Sequence, residues 1–317
     1  MKIGKGNKLA IFFISIGILL GIIFLALGLK YRKEIFVFHN AIDSLPTQIY
    51  ASDCGEIEYL RVGTGEPLLV IHGIFGGIDQ GIANVNGIFP EGYDQIFISR
   101  YGYLQSPLPQ DPSPQKQAAL YVCLLDHLGL NQVTVIAHSA GATSAMELAA
   151  RYPDRVKALV LVSPNAPGTV DVTLPPQAVA QTMFHSDFVF WMITTYARTS
   201  LYGTMGVPVG YSLSPSEKEL VDSLVQTVLP VSRRGDGAIW DMFVSNPAVS
   251  ETEFGNIQAP TLVVSAVDDP MALYQNAQAM SKRIPNAALL TVPSGGHMLL
   301  GQNELVIGTI RDFVSHP

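Results

Sequence analysis

Hydrophobic positions along this chain fall into three patterns. Residues 9–29 form an unbroken apolar run of about 21 residues without a charge, long enough to cross a bilayer as a helix. From about residue 48, short apolar runs rich in β-branched side chains alternate with segments of helical period. The runs at 48–52 and 57–62 flank Asp53-Cys54-Gly55 and read as a hairpin. Those at 68–71, 95–99, 133–137 and 156–162 read as buried strands, and 115–128 and 140–152 as helices. Ala142, Ala145, Met146 and Ala149 are spaced for one packed helical face, and Gly129 is a helix stop signal. Between about 165 and 254 the alternation stops: Pro175-Pro176, many aromatics and several short helical patterns take its place. It then resumes, with strands at 261–265 and 288–292 and helices at 272–283 and 304–314. Strands alternating with helices predict an α/β fold, a mostly parallel sheet covered on both faces, which binds ligands beyond the C-terminal strand ends.

Composition changes this picture in two places. The chain of 317 residues is 48% hydrophobic and only 14% charged, apolar for a soluble enzyme, and residues 9–29 account for much of that. Lys2, Lys5 and Lys8 precede the run, and Lys30, Arg32 and Lys33 follow it. A cleaved signal peptide would have a shorter apolar region ending in a small-x-small site, and Ala26-Leu27-Gly28 is a poor one, so an uncleaved anchor is expected. The short tail and its lysines place the N-terminus inside and the remaining chain outside the cytoplasm, although the trailing basic residues oppose that orientation. The net charge of −7, with no basic stripe past residue 33, argues against nucleic acid as a partner. Cys54 and Cys123 form no metal spacing and are expected as two free thiols; His39, His127, His185 and His316 have no partners at ligand spacing, and neither metal nor cofactor is implied.

The candidate chemistry sits where strands end. Ala137-His138-Ser139-Ala140-Gly141 is the chain's one match to small-x-Ser-x-small, the pattern of a sharp strand-to-helix turn that projects a serine hydroxyl beyond the strand. The helix behind it supplies free N–H groups and a positive dipole end suited to an oxyanion. Asp268-Asp269-Pro270 follows a second strand, and Gly295-Gly296-His297 follows the last. A serine is a poor nucleophile until a histidine takes its proton, and the histidine needs a carboxylate to fix its tautomer. The order Ser139, Asp269, His297 suits strand-end loops of such a sheet. Asp269 is preferred over Asp268 because the following Pro270 biases it toward extended geometry. The N–H groups of Ile74, in the loop after His72-Gly73, and of Ala140 are expected to form the oxyanion hole. His72 reads as a structural loop histidine, with a substrate contact as the alternative. His138 is expected to order the turn, and Trp191 to face substrate.

From about residue 48 onward the chain resembles the α/β-hydrolase fold family. The resemblance rests on the His72-Gly73 loop, Arg100-Tyr101-Gly102-Tyr103, the Ala-His-Ser-Ala-Gly turn, Arg151-Tyr152-Pro153-Asp154-Arg155, Asp268-Asp269-Pro270 and Gly296-His297. Ala137 and Ala266 stand where many relatives carry glycine. The resemblance implies an eight-stranded sheet with a helical cap inserted after the sixth strand. The expected organisation is then an N-terminal anchor (1–30), a linker or lead-in helix (31–46), a hydrolase core (47–164 and 255–317) and a cap (165–254).

The function implied is a membrane-anchored serine hydrolase that cleaves an ester-like bond of a small acyl substrate through an acyl-enzyme. Serine at the turn argues against the dehalogenase and epoxide-hydrolase branches, which use a carboxylate nucleophile. The aromatic, Met-rich cap suggests an apolar substrate. C–C bond hydrolysis or acyl transfer on the same residues, or a non-catalytic ligand receptor on the same fold, are the alternatives.

Overall fold

The structure is a computed structural model that describes residues 5–316 apart from Pro90 and 169–173, with residues 5–10 as backbone only. By its contacts the chain divides into two units, residues 1–45 and 46–317. In the first, the apolar run forms part of one long helix, α1 (Lys5–Asp43). Residues 31–43 continue this helix. Its part from Ile11 to Asp43 has a mean hydropathy of 2.8 over its most apolar window, enough in length and composition to cross a membrane. At 1.5 Å per residue the ~20 residues that a bilayer core requires are a fraction of this helix.

The second unit is built on one eight-stranded sheet. Its strands are β1 (Gln48–Ser52), β2 (Gly55–Gly63), β3 (Glu66–Ile71), β4 (Tyr93–Ile98), β5 (Val133–His138), β6 (Val156–Val162), β7 (Thr261–Ala266) and β8 (Ala287–Val292). Their order across the sheet is β1-β2-β4-β3-β5-β6-β7-β8. β2 pairs antiparallel with both β1 and β4, and every other pairing is parallel. Parallel strands need crossovers, and the crossover helices bury both sheet faces. The continuous apolar runs of β3 and β5 follow from this: Leu68 to Ile71 and Val133 to Ala137 are buried.

The crossovers are α2 (Ile78–Val85), α3 (Pro114–His127) and α4 (Gly141–Arg151), with α10 (Tyr274–Ser281) between the last two strands and α11 (Asn303–Ser315) closing the chain. The sequence reading had no helix at 78–85, although Ile78, Ile82 and Val85 carry its period. Every residue of α4 from Gly141 to Ala150 is buried, which explains its run of small side chains. Between β6 and β7 lies an insert holding α5 (Gln177–Phe184), α6 (Asp187–Tyr196), α7 (Pro215–Thr227) and α8 (Gly235–Trp240), the last continuing through a π-helical turn at Asp241–Ser245 into α9 (Asn246–Ala248).

The expectation of two free thiols is corrected: Cys54 and Cys123 form a disulfide, with Cα atoms 6.6 Å apart. Cys54 sits in the turn between β1 and β2, and that turn lies over α3; a Cβ at Gly55 would meet Leu120 at 3.6 Å. The two cysteines are 69 residues apart, and only the packing of hairpin against helix joins them.

Candidate active site

Ser139 directly follows β5 in the middle of the sheet, next to the point where strand order reverses between β3 and β5. Its φ is +50°, a left-handed conformation that a non-glycine residue adopts only when its surroundings enforce it. Those surroundings are specific. The N–H of Ser139 donates to Val162 O at 3.0 Å, and its carbonyl accepts from Ala142 and Asn165, each at 3.0 Å. Two residues on, a Cβ at Gly141 would lie 2.4 Å from His72 O, so only glycine lets α4 start against β3. The serine thus projects from a turn with no room to relax.

Among the described residues, five non-glycine positions have left-handed backbone: Phe75, Leu104, Ser139, Ser163 and Leu299. They follow β3, β4, β5, β6 and β8 respectively, all on the C-terminal edge of the sheet. Backbone strain is therefore gathered around the loops that carry the expected chemistry.

The structure brings Ser139, His297 and Asp269 together. Ser139 Oγ lies 2.9 Å from His297 Nε2, and His297 Nδ1 lies 2.9 Å from Asp269 Oδ2. The Asp269 side chain is fully buried and that of His297 is 15% exposed. The other carboxylate oxygen of Asp269 accepts the N–H groups of Met271 (2.8 Å) and Ala272 (2.9 Å), which fixes its plane. Such a chain of contacts can take a proton from the serine hydroxyl and stabilise the imidazolium that results.

The loop carrying His297 is pinned from three sides that sequence reasoning missed. Asp268 accepts the N–H groups of Gly295 (3.2 Å) and Gly296 (2.9 Å). Ser163 Oγ donates to His297 O at 2.8 Å. The N–H of His297 donates to Gly206 O, in the insert, at 3.0 Å. Gly206 itself has φ +85°, and a Cβ there would sit 2.1 Å from that of His297, so this position accepts no side chain. Ser163-Pro164 was visible as a strand end; nothing local tied Gly206 to a histidine 91 positions later, since that contact exists only through the fold.

Ala140 follows the serine on the loop after β5, and Ile74 lies on the loop after β3 next to Gly73, where a Cβ would sit 3.2 Å from Ser139 Cβ. Among the described residues no acceptor takes the N–H of either. Gln80 on α2 holds the loop beside them, accepting from Gly73 N at 2.8 Å and donating to Ile74 O at 3.4 Å.

Neither His72 nor Trp191 has surface open to a substrate. His72 is fully buried and both ring nitrogens are engaged: Nε2 accepts the N–H of Arg100 at 3.0 Å, so Nδ1 carries the proton and donates to Gly73 O at 2.7 Å. Burial, aided by the Arg100 charge, holds this imidazole well below its usual pKa, and it remains neutral. Trp191 is also fully buried, packed between Phe188 (5.9 Å) and Tyr196 (5.8 Å), and has no surface open to a substrate. His138 ends β5 with a buried Nδ1 that has no partner among the described residues; burial and the nearby His297 lower its pKa to about 4.

A second buried network joins the loop after β4 to the insert. The Arg100 guanidinium donates to both carboxylate oxygens of Asp241, which also accepts the Tyr103 hydroxyl. Burial works against the Arg100 charge, but Asp241 outweighs it and the net shift is upward. In the opposite sense, Arg234 of the insert donates to both carboxylate oxygens of Asp79 (2.6 and 3.1 Å) and to Gly76 O.

The model of the alpha/beta hydrolase fold matches residues 66–304 of this chain. The chain belongs to the α/β-hydrolase fold family. It is 27% identical over 271 residues to the uncharacterized hydrolase YcgS of Bacillus subtilis, covering 81% of this chain and 94% of that protein. It is 28% identical over 261 residues to a poly(3-hydroxyalkanoate) depolymerase of Ectopseudomonas oleovorans, covering 78% and 84%. Among solved structures it resembles an α/β-hydrolase fold protein from Nakamurella multipartita, with a TM-score of 0.69 and 25% identity over 84% of this chain and 98% of that one. The matched region starts at β3 and includes β3 to β8, the insert and the loops that hold Ser139, Asp269 and His297.

Proposed function

We propose that this chain is a serine hydrolase that cleaves an ester-like bond through an acyl-enzyme on Ser139. The observation that carries this reading is the 2.9 Å contact of Ser139 Oγ with His297 Nε2, with Asp269 on the far side of the same ring. In this scheme His297 takes the Ser139 proton as Oγ attacks the acyl carbon, and Asp269 stabilises the imidazolium. The oxyanion of the tetrahedral intermediate is met by the N–H groups of Ile74 and Ala140 and by the N-terminal end of α4. His297 returns its proton to the leaving group, then activates the water that releases the acyl chain. The partial exposure of His297 and the half-buried Ser139 leave room for an acyl group to approach the pair. The insert is read as a cap over that approach. Its aromatic residues, with Phe75 edge-on to Phe184 (4.9 Å) and near Phe190 (6.1 Å), favour an apolar acyl group. The depolymerase relative, named for a polyester, is consistent with ester chemistry.

The helix α1 is read as an uncleaved membrane anchor, with the hydrolase unit outside the cytoplasm. Its length and hydropathy support the anchor, and the Cys54–Cys123 disulfide supports an oxidising compartment.

A fluorophosphonate probe tests the chemistry: it is expected to label the wild type and not Ser139→Ala, with p-nitrophenyl esters of increasing chain length then ranking substrates. Equal labelling of the alanine variant would remove Ser139 from this role. Protease treatment of intact cells tests the sidedness, since a fully protected hydrolase unit would reverse it, and a mature N-terminus near residue 29 would replace the anchor by a signal peptide.

A further inference from the structure

Arg100 follows β4 and is fully buried. Its Nε donates to His72 O at 2.9 Å, one terminal nitrogen donates to Gly73 O at 3.0 Å, and the fork closes on Asp241. Gly73 O receives a second strong donor, Nδ1 of His72, at 2.7 Å. This oxygen belongs to the peptide between Gly73 and Ile74, which also carries the N–H of Ile74. A trans peptide is planar, so its C=O and N–H point in opposite directions. Holding Gly73 O on Arg100 therefore turns the Ile74 N–H away from Arg100. Gly73 itself abuts the nucleophile, since a Cβ built on it would lie 3.2 Å from Ser139 Cβ. A cation at the carbonyl end also draws electron density toward oxygen and makes the same peptide a stronger donor at nitrogen.

We propose that Arg100, held from the insert by Asp241, is a positioning residue for the oxyanion hole: it fixes and polarises the Gly73–Ile74 peptide so that the Ile74 N–H meets the developing oxyanion. This rests on the serine-hydrolase reading above. Arg100 touches no substrate. Its effect reaches the reaction through one peptide plane, and an oxyanion exists only in the transition state and the tetrahedral intermediate, so the effect belongs to kcat rather than to substrate binding. It also gives the insert a part in the chemistry, because Asp241 lies 141 residues from the arginine it holds.

The test is steady-state kinetics on a p-nitrophenyl ester, with active sites counted by fluorophosphonate and a trifluoromethyl ketone as a reversible oxyanion mimic. Arg100→Lys keeps the charge but loses the fork. Per labelled site, kcat is expected to fall about 10²-fold, the size of losing one oxyanion donor, with KM within about threefold. The inhibition constant of the ketone should rise by the same factor as kcat/KM falls. Asp241→Asn keeps the shape of the acceptor and one oxygen for the guanidinium; it should show the same parallel at about tenfold, and it decides the matter if Arg100→Lys does not fold. A merely structural role would lower the number of labelled sites and leave kcat per site and the ketone constant at wild-type values, and that result would overturn the proposal. Absence of labelling in the wild type would overturn this inference together with the serine-hydrolase reading, whereas labelling with an unchanged ketone constant in the variants overturns this inference alone.

Discussion

The carboxylate of Asp268 accepts the backbone N–H of Gly296 at 2.9 Å, one residue before the imidazole whose Nδ1 lies 2.9 Å from Asp269. Neighbouring carboxylates thus hold the same histidine differently, one by its ring and one by its loop. Asp269→Asn is expected to lower kcat roughly 10⁴-fold, because an amide presents the wrong partner to the imidazole. Asp268→Asn keeps one oxygen for the loop and should cost about tenfold or less, and Asp268→Ala, which leaves both N–H groups without that acceptor, should cost more than Asp268→Asn. Kinetics of the three variants on one ester at one pH check the order; a larger loss from Asp268→Asn than from Asp269→Asn would exchange their roles.

Trp191 is a packing residue by its burial. Trp191→Ala should lower the unfolding free energy by about 3–5 kcal/mol, as large buried aromatics do, with little change in the ratio of activities toward short and long esters. Urea denaturation and a chain-length series measure the two effects. A shift in chain-length preference at unchanged stability would return Trp191 to the substrate site.

Stability should fall in mild acid before carboxylates titrate. His138 has its pKa lowered to about 4 by burial and the nearby His297, and His72 lies well below its usual value. An unfolded histidine takes its proton near pH 6.5. Above that pH both states are neutral at these positions and stability is flat. As pH falls from about 6.5 toward 4 the unfolded chain binds protons that the fold refuses, and each histidine removes up to about 1.4 kcal/mol per pH unit. Denaturation at pH 7, 6 and 5 should show this slope, reduced by about one proton in His138→Gln. An identical slope in that variant would mean that His138 titrates normally in the fold.

The disulfide closes a loop of 69 residues between the hairpin turn and α3, and neither cysteine contacts Ser139, Asp269 or His297 through a hydrogen bond among the described residues. The double variant Cys54→Ser/Cys123→Ser should lose about 2–4 kcal/mol of stability and retain esterase activity per folded molecule. Mass spectrometry of non-reduced peptides identifies the bond directly. Recovery of Cys54 and Cys123 as free thiols from protein exported to an oxidising compartment would exclude it.

Much of this enzyme is legible in local pattern. Strand runs, helix periods and the small residues around Ser139 are properties of neighbours in sequence, and backbone geometry with steric exclusion fixes their meaning. The α/β alternation, the sharp turn at Ser139 and the preference for Asp269 before Pro270 were read from such signals. Helix α2 was missed because eight residues give a weak period.

What the sequence left open depends on contacts between distant positions. That Cys54 meets Cys123, that Gly206 closes on His297, and that Asp241 holds Arg100 follow from how crossovers and the insert pack on the sheet. No local propensity encodes them. The burial of His72 and of Trp191 depends on the same kind of contact: residue type sets what a side chain can do, and only the packed neighbours decide whether its polar atoms are already engaged or its surface is open.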